Sequence, residues 1–69
     1  MHEILAEWTS VVKELRFKDG DTVKPGDEIM ITESLKMQLP VDTKYGGIIQ
    51  YVVSKEQLVQ EGDVLARVG

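Results

Sequence analysis

The heptapeptide VKPGDEI at residues 23–29 returns as VQEGDVL at residues 59–65, so a valine, a Gly-Asp pair and a final Ile or Leu recur 36 residues apart. A β-rich segment precedes each copy, VVKEL at residues 11–15 and IIQYV at residues 48–52. Gly-Asp pairs are typical of tight turns, because glycine tolerates positive φ and aspartate can bond its own backbone. The pattern indicates two copies of one β unit, the second one residue shorter around Glu56 and Gln57.

Short β-branched stretches, separated by turn residues, predict strands and give little support to a helix. We predict strands at residues 4–7, 11–18, 28–33, 38–41, 47–54 and 64–68. One β unit is too small to close a core alone, so the two copies are expected to pack face to face about a pseudo-two-fold axis. The predicted fold is an all-β flattened barrel or sandwich, forming a single domain over residues 1–69.

The composition excludes several classes of function. A chain of 69 residues leaves no room for two lobes around a catalytic cleft. The net charge of −4 argues against nucleic acid as a partner, because such binding depends on Lys and Arg. No apolar run approaches the ~20 residues of a membrane span, and the N-terminus lacks a signal peptide, so a cytoplasmic protein is expected. With no cysteine, one histidine and scattered carboxylates, no metal site is expected.

The segment IMITESLKMQLPV at residues 29–41 lies between the two copies and is predicted to form a hairpin. By strand alternation, Thr32 and Gln38 are expected to face solvent. The core-facing residues are then Ile29, Ile31, Leu39 and Val41. The chain must reverse at residues 34–37, which contain no Gly, Asn, Asp or Pro, the residues that tight hairpin turns prefer.

The predicted tip carries two large apolar residues, Leu35 and Met37, on either side of Lys36. A segment that breaks local rules without compensation is a candidate functional site. The alternative is one long buried strand with Lys36 extending from its face to reach water.

The pentapeptide ESLKM at residues 33–37 resembles the attachment signature of biotinyl domains, the relatives of the biotin/lipoyl attachment proteins and of the carrier domains of biotin-dependent carboxylases. The usual pattern is an acidic residue, a small residue, then Met-Lys-Met. The resemblance extends to the KDGD turn at residues 18–21, to GGII at residues 46–49 and to EGDVL at residues 61–65. It implies a barrel-sandwich hybrid of two four-stranded antiparallel sheets, with the modified lysine on a protruding hairpin.

The resemblance also implies a function and its residues. Lys36 is the expected site of covalent biotin attachment, and the flanking residues are expected to form the hairpin and to be recognised by biotin protein ligase: Glu33, Ser34, Leu35 and Met37. The chain would not be an enzyme but a substrate of the ligase. It would carry carboxyl groups between biotin carboxylase and carboxyltransferase, with no nucleic acid or membrane partner, and would be a monomer in isolation.

The sequence departs from the family pattern at three places. Leu35 replaces the usual Met, Ser10 replaces a common Gly, and Gln57 lies where a Gly-Asp pair is expected. Two alternatives stay open. Lipoyl domains also place a lysine on a hairpin tip, although Met37 favours biotin, and a non-covalent interaction module could use the apolar tip as an anchor. Trp8 and Tyr51 are expected to serve packing rather than ligand binding.

Overall fold

The computed structural model describes residues 1–69 and contains strands but no helix, hence no helix that could cross a membrane. The strands are β1 (His2–Leu5), β2 (Ser10–Leu15), β3 (Thr22–Val23), β4 (Glu28–Ser34), β5 (Met37–Asp42), β6 (Gly47–Tyr51), β7 (Leu58–Val59) and β8 (Val64–Val68). They form two four-stranded antiparallel sheets, which confirms the predicted fold class. Periodicity missed β3 and β7, because two residues are too few to alternate.

The internal duplication is visible in the order of the strands. One sheet has the order β1-β8-β6-β3 and the other β5-β4-β2-β7, so exchanging the first four strands for the last four converts one sheet into the other. Backbone hydrogen bonds repeat in the same way: Gly26 N donates to Thr43 O at 2.7 Å, and Gly62 N donates to Ala6 O at 2.8 Å. Each sheet therefore contains strands from both halves, and neither half contains a complete four-stranded sheet.

The residue that the second copy lacks lies in a strand and not near Glu56 and Gln57, where we expected it. The turns keep a constant offset: Asp21 Oδ2 accepts from Lys18 N, and 36 residues later Gln57 Oε1 accepts from Ser54 N. The pairing of β2 with β4 instead shifts between Val12 and Glu14, where Lys13 forms a bulge that β6 does not have. The extra residue of the first copy is thus Lys13.

Glu56 occupies the position that Gly20 holds in the first half. Both residues have positive φ, 70° for Glu56 and 94° for Gly20. Their amides make equivalent bonds, since Glu56 N donates to Val12 O and Gly20 N donates to Ile49 O. The turn therefore keeps its backbone path without the Gly-Asp pair, at the cost of a left-handed conformation that a side chain disfavours.

The core lies between the sheets and contains twelve buried apolar residues: Ile4, Ala6, Val12, Val23, Ile29, Met30, Ile49, Val53, Val59, Leu65, Ala66 and Val68. Ile29 and Met30 are consecutive yet both fully buried, because the pairing of β4 with β5 shifts between Glu28 and Met30. This irregularity reverses the alternation that we expected in β4. Ile31 is only half-buried, whereas Thr32 is 1% exposed and its hydroxyl donates to Leu39 O at 3.0 Å.

Tyr51 connects the two sheets through its hydroxyl group. Its Oη donates to Ile29 O at 2.6 Å and accepts from Phe17 N at 3.1 Å. Burial raises the pKa of Tyr51 above its ordinary value of 10.0, because the charged phenolate is disfavoured away from water. Tyr51 therefore has a packing role, as its sequence context predicts.

Tyr51→Phe should lower the free energy of unfolding by about 1–3 kcal/mol, because Phe17 N loses its partner inside the protein. The wild-type protein should also lose stability above pH 10.0, since a raised folded-state pKa favours the neutral phenol and this contribution disappears as the phenol ionises. Urea titrations at neutral pH and above pH 10 would measure both effects. A Phe variant with the same alkaline loss as wild type would contradict the assignment to Tyr51.

Both chain ends lie at the base of the β4–β5 hairpin. His2 pairs with Val68, and the His2 ring stacks on Tyr45 at 3.9 Å between centroids. Tyr45 follows the Glu28↔Asp42 pair, which closes the base of the hairpin. The hairpin tip is separated from this end by the length of β4, about 20 Å for a seven-residue strand.

Candidate functional site

A two-residue turn connects β4 to β5. Ser34 pairs with Met37 at the end of the ladder, which leaves Leu35 and Lys36 as the loop. Both have positive φ, 52° and 63°, as the two central residues of a type I′ turn do. The structure thus contains a hairpin rather than one long strand, with Lys36 as the second residue of its tip.

The pairing of the two arms accounts for this unfavourable turn. Left-handed backbone costs about 1–2 kcal/mol for a residue with a side chain. Six residue pairs between β4 and β5 fix the arms from the Glu28↔Asp42 pair to the Ser34↔Met37 pair. Only two residues remain to connect them, and a type I′ turn matches the twist of paired strands. The ladder therefore determines the conformation of the tip, although the tip contains no glycine or asparagine.

The side chains at the tip extend into solvent. Leu35 is 93% exposed and Met37 is 62% exposed, values uncommon for large apolar residues. Lys36 is exposed and takes part in no ion pair and no side-chain hydrogen bond. Its amine is therefore free to react with a group brought by another molecule.

The structure separates Glu33 from the other predicted site residues. Ser34 and Met37 are paired, and their side chains lie on the same face of the sheet as the buried Thr32, because side chains alternate along a strand. Glu33 lies on the opposite face, paired with Gln38. Four of the five predicted residues are thus together at the turn, and Glu33 is beside it on the outer face of the sheet.

Lys13 is a neighbour of the site that sequence reasoning missed. Its Nζ lies 4.0 Å from Glu33 Oε1 and 3.1 Å from Glu56 Oε2. This position results from the bulge in β2, which inserts Lys13 into the strand next to β4. The one-residue difference between the two copies is the sequence signal of this bulge, although the repeat predicts it near Glu56 and Gln57 and the structure places it at Lys13.

The site contains a nucleophile but no catalytic apparatus. No cluster of three or more His, Asp or Glu side chains could hold a metal ion. No base forms a hydrogen bond with Lys36 or Ser34. An exposed primary amine on a firmly held turn is suited to acylation by a separate enzyme that supplies the activated carboxyl group.

The sequence profile of the family described as "Biotin-requiring enzyme" matches residues 4–68. The chain is 45% identical over 49 residues to the biotin/lipoyl attachment protein of Bacillus subtilis, a match that covers 70% of this chain and 67% of that protein. It is 35% identical over 65 residues to the biotinylated protein TB7.3 homolog of Mycobacterium leprae, covering 93% of this chain and 92% of that protein.

Two further similarities are to short parts of large enzymes. The chain is 30% identical over 64 residues to the pyruvate carboxylase of Staphylococcus aureus, where the match covers 91% of this chain but 6% of the enzyme. A solved structure of a single-chain, multi-domain long-chain acyl-CoA carboxylase superposes with a TM-score of 0.84 at 23% identity, over 93% of this chain and 6% of that one. The second similarity establishes the fold.

Proposed function

The chain belongs to the biotin and lipoyl attachment family, and from this membership we propose that it is a biotin carrier domain with Lys36 as its attachment residue. The cofactor is biotin, as the family description and the name of the mycobacterial relative indicate. The domain is a carrier and not itself an enzyme.

The position of Lys36 among the lysines is the observation that supports this assignment. Lys36 alone has positive φ and lies in a two-residue turn between long paired strands. Lys13 is in an ion pair within β2. The other four lysines lie outside the strands, without exposed apolar residues on both sides: Lys18, Lys24, Lys44 and Lys55.

The chain presents the Lys36 amine, and other molecules supply the chemistry of attachment and transfer. No side chain of the domain forms an ion pair with Lys36 or activates it, so an attaching enzyme must supply both a base and an activated carboxyl group. We propose that biotin protein ligase is this enzyme. When attached, biotin supplies a nitrogen that carries a carboxyl group from one enzyme site to another. The tether raises the effective concentration of the carried group to roughly millimolar.

We infer the partners from the same relatives. Domains similar to this chain occur within a pyruvate carboxylase and an acyl-CoA carboxylase. The proposed partners are therefore a biotin carboxylase and a carboxyltransferase, as separate subunits or domains. We further propose that the isolated chain is a monomer and acts in the cytoplasm.

The proposal is tested by intact-mass measurement of the chain produced with and without biotin protein ligase, followed by peptide mapping. One biotin per chain, on the peptide containing Lys36 and retained by avidin, is expected. Biotin on Lys13 or Lys44 in comparable yield would overturn the assignment. A lipoyl adduct instead would identify the alternative member of the same carrier class.

Leu35→Met should change the rate of biotinylation only slightly, because Leu and Met have similar volumes and both side chains would extend from the tip. The turn geometry should be unaffected, since neither residue is β-branched. Initial rates at limiting ligase measure the effect. An acceleration of about fivefold would instead indicate a specific thioether contact of about 1 kcal/mol with the ligase.

A further inference from the structure

A groove of about 510 Å³ runs between the edge strands β1 and β5, away from the attachment turn. Its apolar lining includes Ile4, Leu5, Trp8 and Val41. At one end, His2 stacks on Tyr45 and so connects the two edges. Neither the repeat nor the attachment site requires this groove.

The two edges differ in their ability to accept another strand. β1 pairs only with β8, so the backbone groups on its other side have no strand partner. β5 pairs only with β4, but it carries Pro40, which has no N–H group and blocks strand addition at an edge. An extended segment entering the groove would therefore find its backbone partners on β1.

The charges around the groove are mostly negative and unpaired. Glu7, Asp42 and Glu61 line it and take part in no ion pair. Glu3 is already paired with Arg67 at 3.3 Å. Lys44 is the one cation in the lining. The potential within the groove therefore favours a cationic occupant with apolar residues between its charges.

We propose that this groove binds a basic, extended segment of a partner protein, which adds to β1 as a further strand. Trp8, which is 40% exposed, would pack against apolar or cationic side chains of that segment. A second copy of the chain fits less well, because its net charge is −4. A neutral ligand would leave the three unpaired carboxylates without a role.

Trp8 is the sole tryptophan, so its fluorescence reports groove occupancy directly. The probe is a synthetic nonapeptide of alternating Lys and Val, titrated into the unbiotinylated 69-residue chain at low salt. We expect saturable quenching or a spectral shift, weakened by added salt, together with slower amide hydrogen exchange in β1. The same peptide with Glu in place of Lys should not bind.

Glu7→Gln combined with Glu61→Gln should weaken binding of the Lys/Val peptide about fivefold, because two exposed carboxylates that would pair with lysines of the peptide are lost. The matched control is Glu14→Gln combined with Glu56→Gln, which also removes two exposed carboxylates but none from the groove lining, and it should leave the affinity unchanged. Equal weakening by the control would mean that overall charge, not the groove, drives binding.

Three other results would overturn the proposal: no saturable response, equal affinity for the Glu peptide, or a dimer in sedimentation whose β1 amides are protected from hydrogen exchange without the peptide. The biotinylated chain should bind the peptide as the unbiotinylated chain does, because the groove and Lys36 are separate. Failure of the groove proposal thus leaves the carrier assignment untouched, and failure of biotinylation leaves the groove measurement valid.

Discussion

Lys36→Arg should abolish biotin attachment while leaving the fold intact. Arginine keeps the positive charge and a long flexible stem, but its guanidinium stays protonated and cannot form the amide. Lys36 is exposed and makes no ion pair, so its replacement should change the free energy of unfolding by no more than about 0.5 kcal/mol. Mass spectrometry and avidin retention after ligase treatment measure attachment, and urea midpoints measure stability.

The control for Lys36→Arg moves the amine by one residue, as Leu35→Lys combined with Lys36→Leu. Composition and charge are unchanged, and both positions are exposed and left-handed, so the turn should persist. The amine then leaves the tip in another direction. We expect biotinylation to fall steeply, and a rate near that of wild type would show that presentation geometry does not determine attachment.

A separate comparison tests whether the hairpin tip is a non-covalent anchor for a partner protein. If the tip were a non-covalent anchor, Leu35→Ala combined with Met37→Ala would abolish partner binding, whereas Lys36→Arg would not. Loss of carboxyl transfer with Lys36→Arg alone would therefore rule out the anchor hypothesis. Both variants alter exposed side chains, so their folds can be compared directly.

Met30→Ala should lower the free energy of unfolding by about 2–5 kcal/mol, because Met30 is fully buried and truncation leaves a cavity. Its neighbour Ile31 provides a matched control. Ile31 is half-buried on the outer face of the sheet, and Ile31→Ala should cost about 1 kcal/mol. Denaturant midpoints and m-values of both variants test the reversed alternation in β4. Equal losses of unfolding free energy in the two variants would mean that Ile31 belongs to the core, as strict alternation predicts.

The repeat was sufficient to predict two β units packed face to face, because turn chemistry and strand content recur at a fixed offset, whereas the two four-stranded sheets followed from the family resemblance. The side-chain directions in β4 could not be predicted from the same pattern. A strict period of two places Ile29 and Ile31 on one face, whereas the irregularity at Ile29 buries Ile29, Met30 and Thr32. Register shifts depend on the neighbouring strands, which lie far away in sequence.

The sequence features that located the site are not the features that determine its backbone conformation. Apolar residues around Lys36 and the family signature identified this turn as the candidate attachment site from sequence. The left-handed backbone of Leu35 and Lys36 had no sequence signal, because the β4–β5 ladder imposes this conformation on residue types that disfavour it. The contact of Lys13 with Glu33 was equally hidden, since it depends on a bulge in β2.

The pairing of His2 with Val68 has a mechanical consequence. A chain joined at either terminus leaves the domain at the base of the hairpin, remote from Lys36. The domain then behaves as a rigid lever with its pivot at the joined ends and a radius of about 20 Å, the length of β4. Rotation of the whole domain about the pivot would move a group attached at the tip between two fixed sites without bending the hairpin. The distance covered would then depend on the rotation, and the orientation of the group on the rigidity of the hairpin.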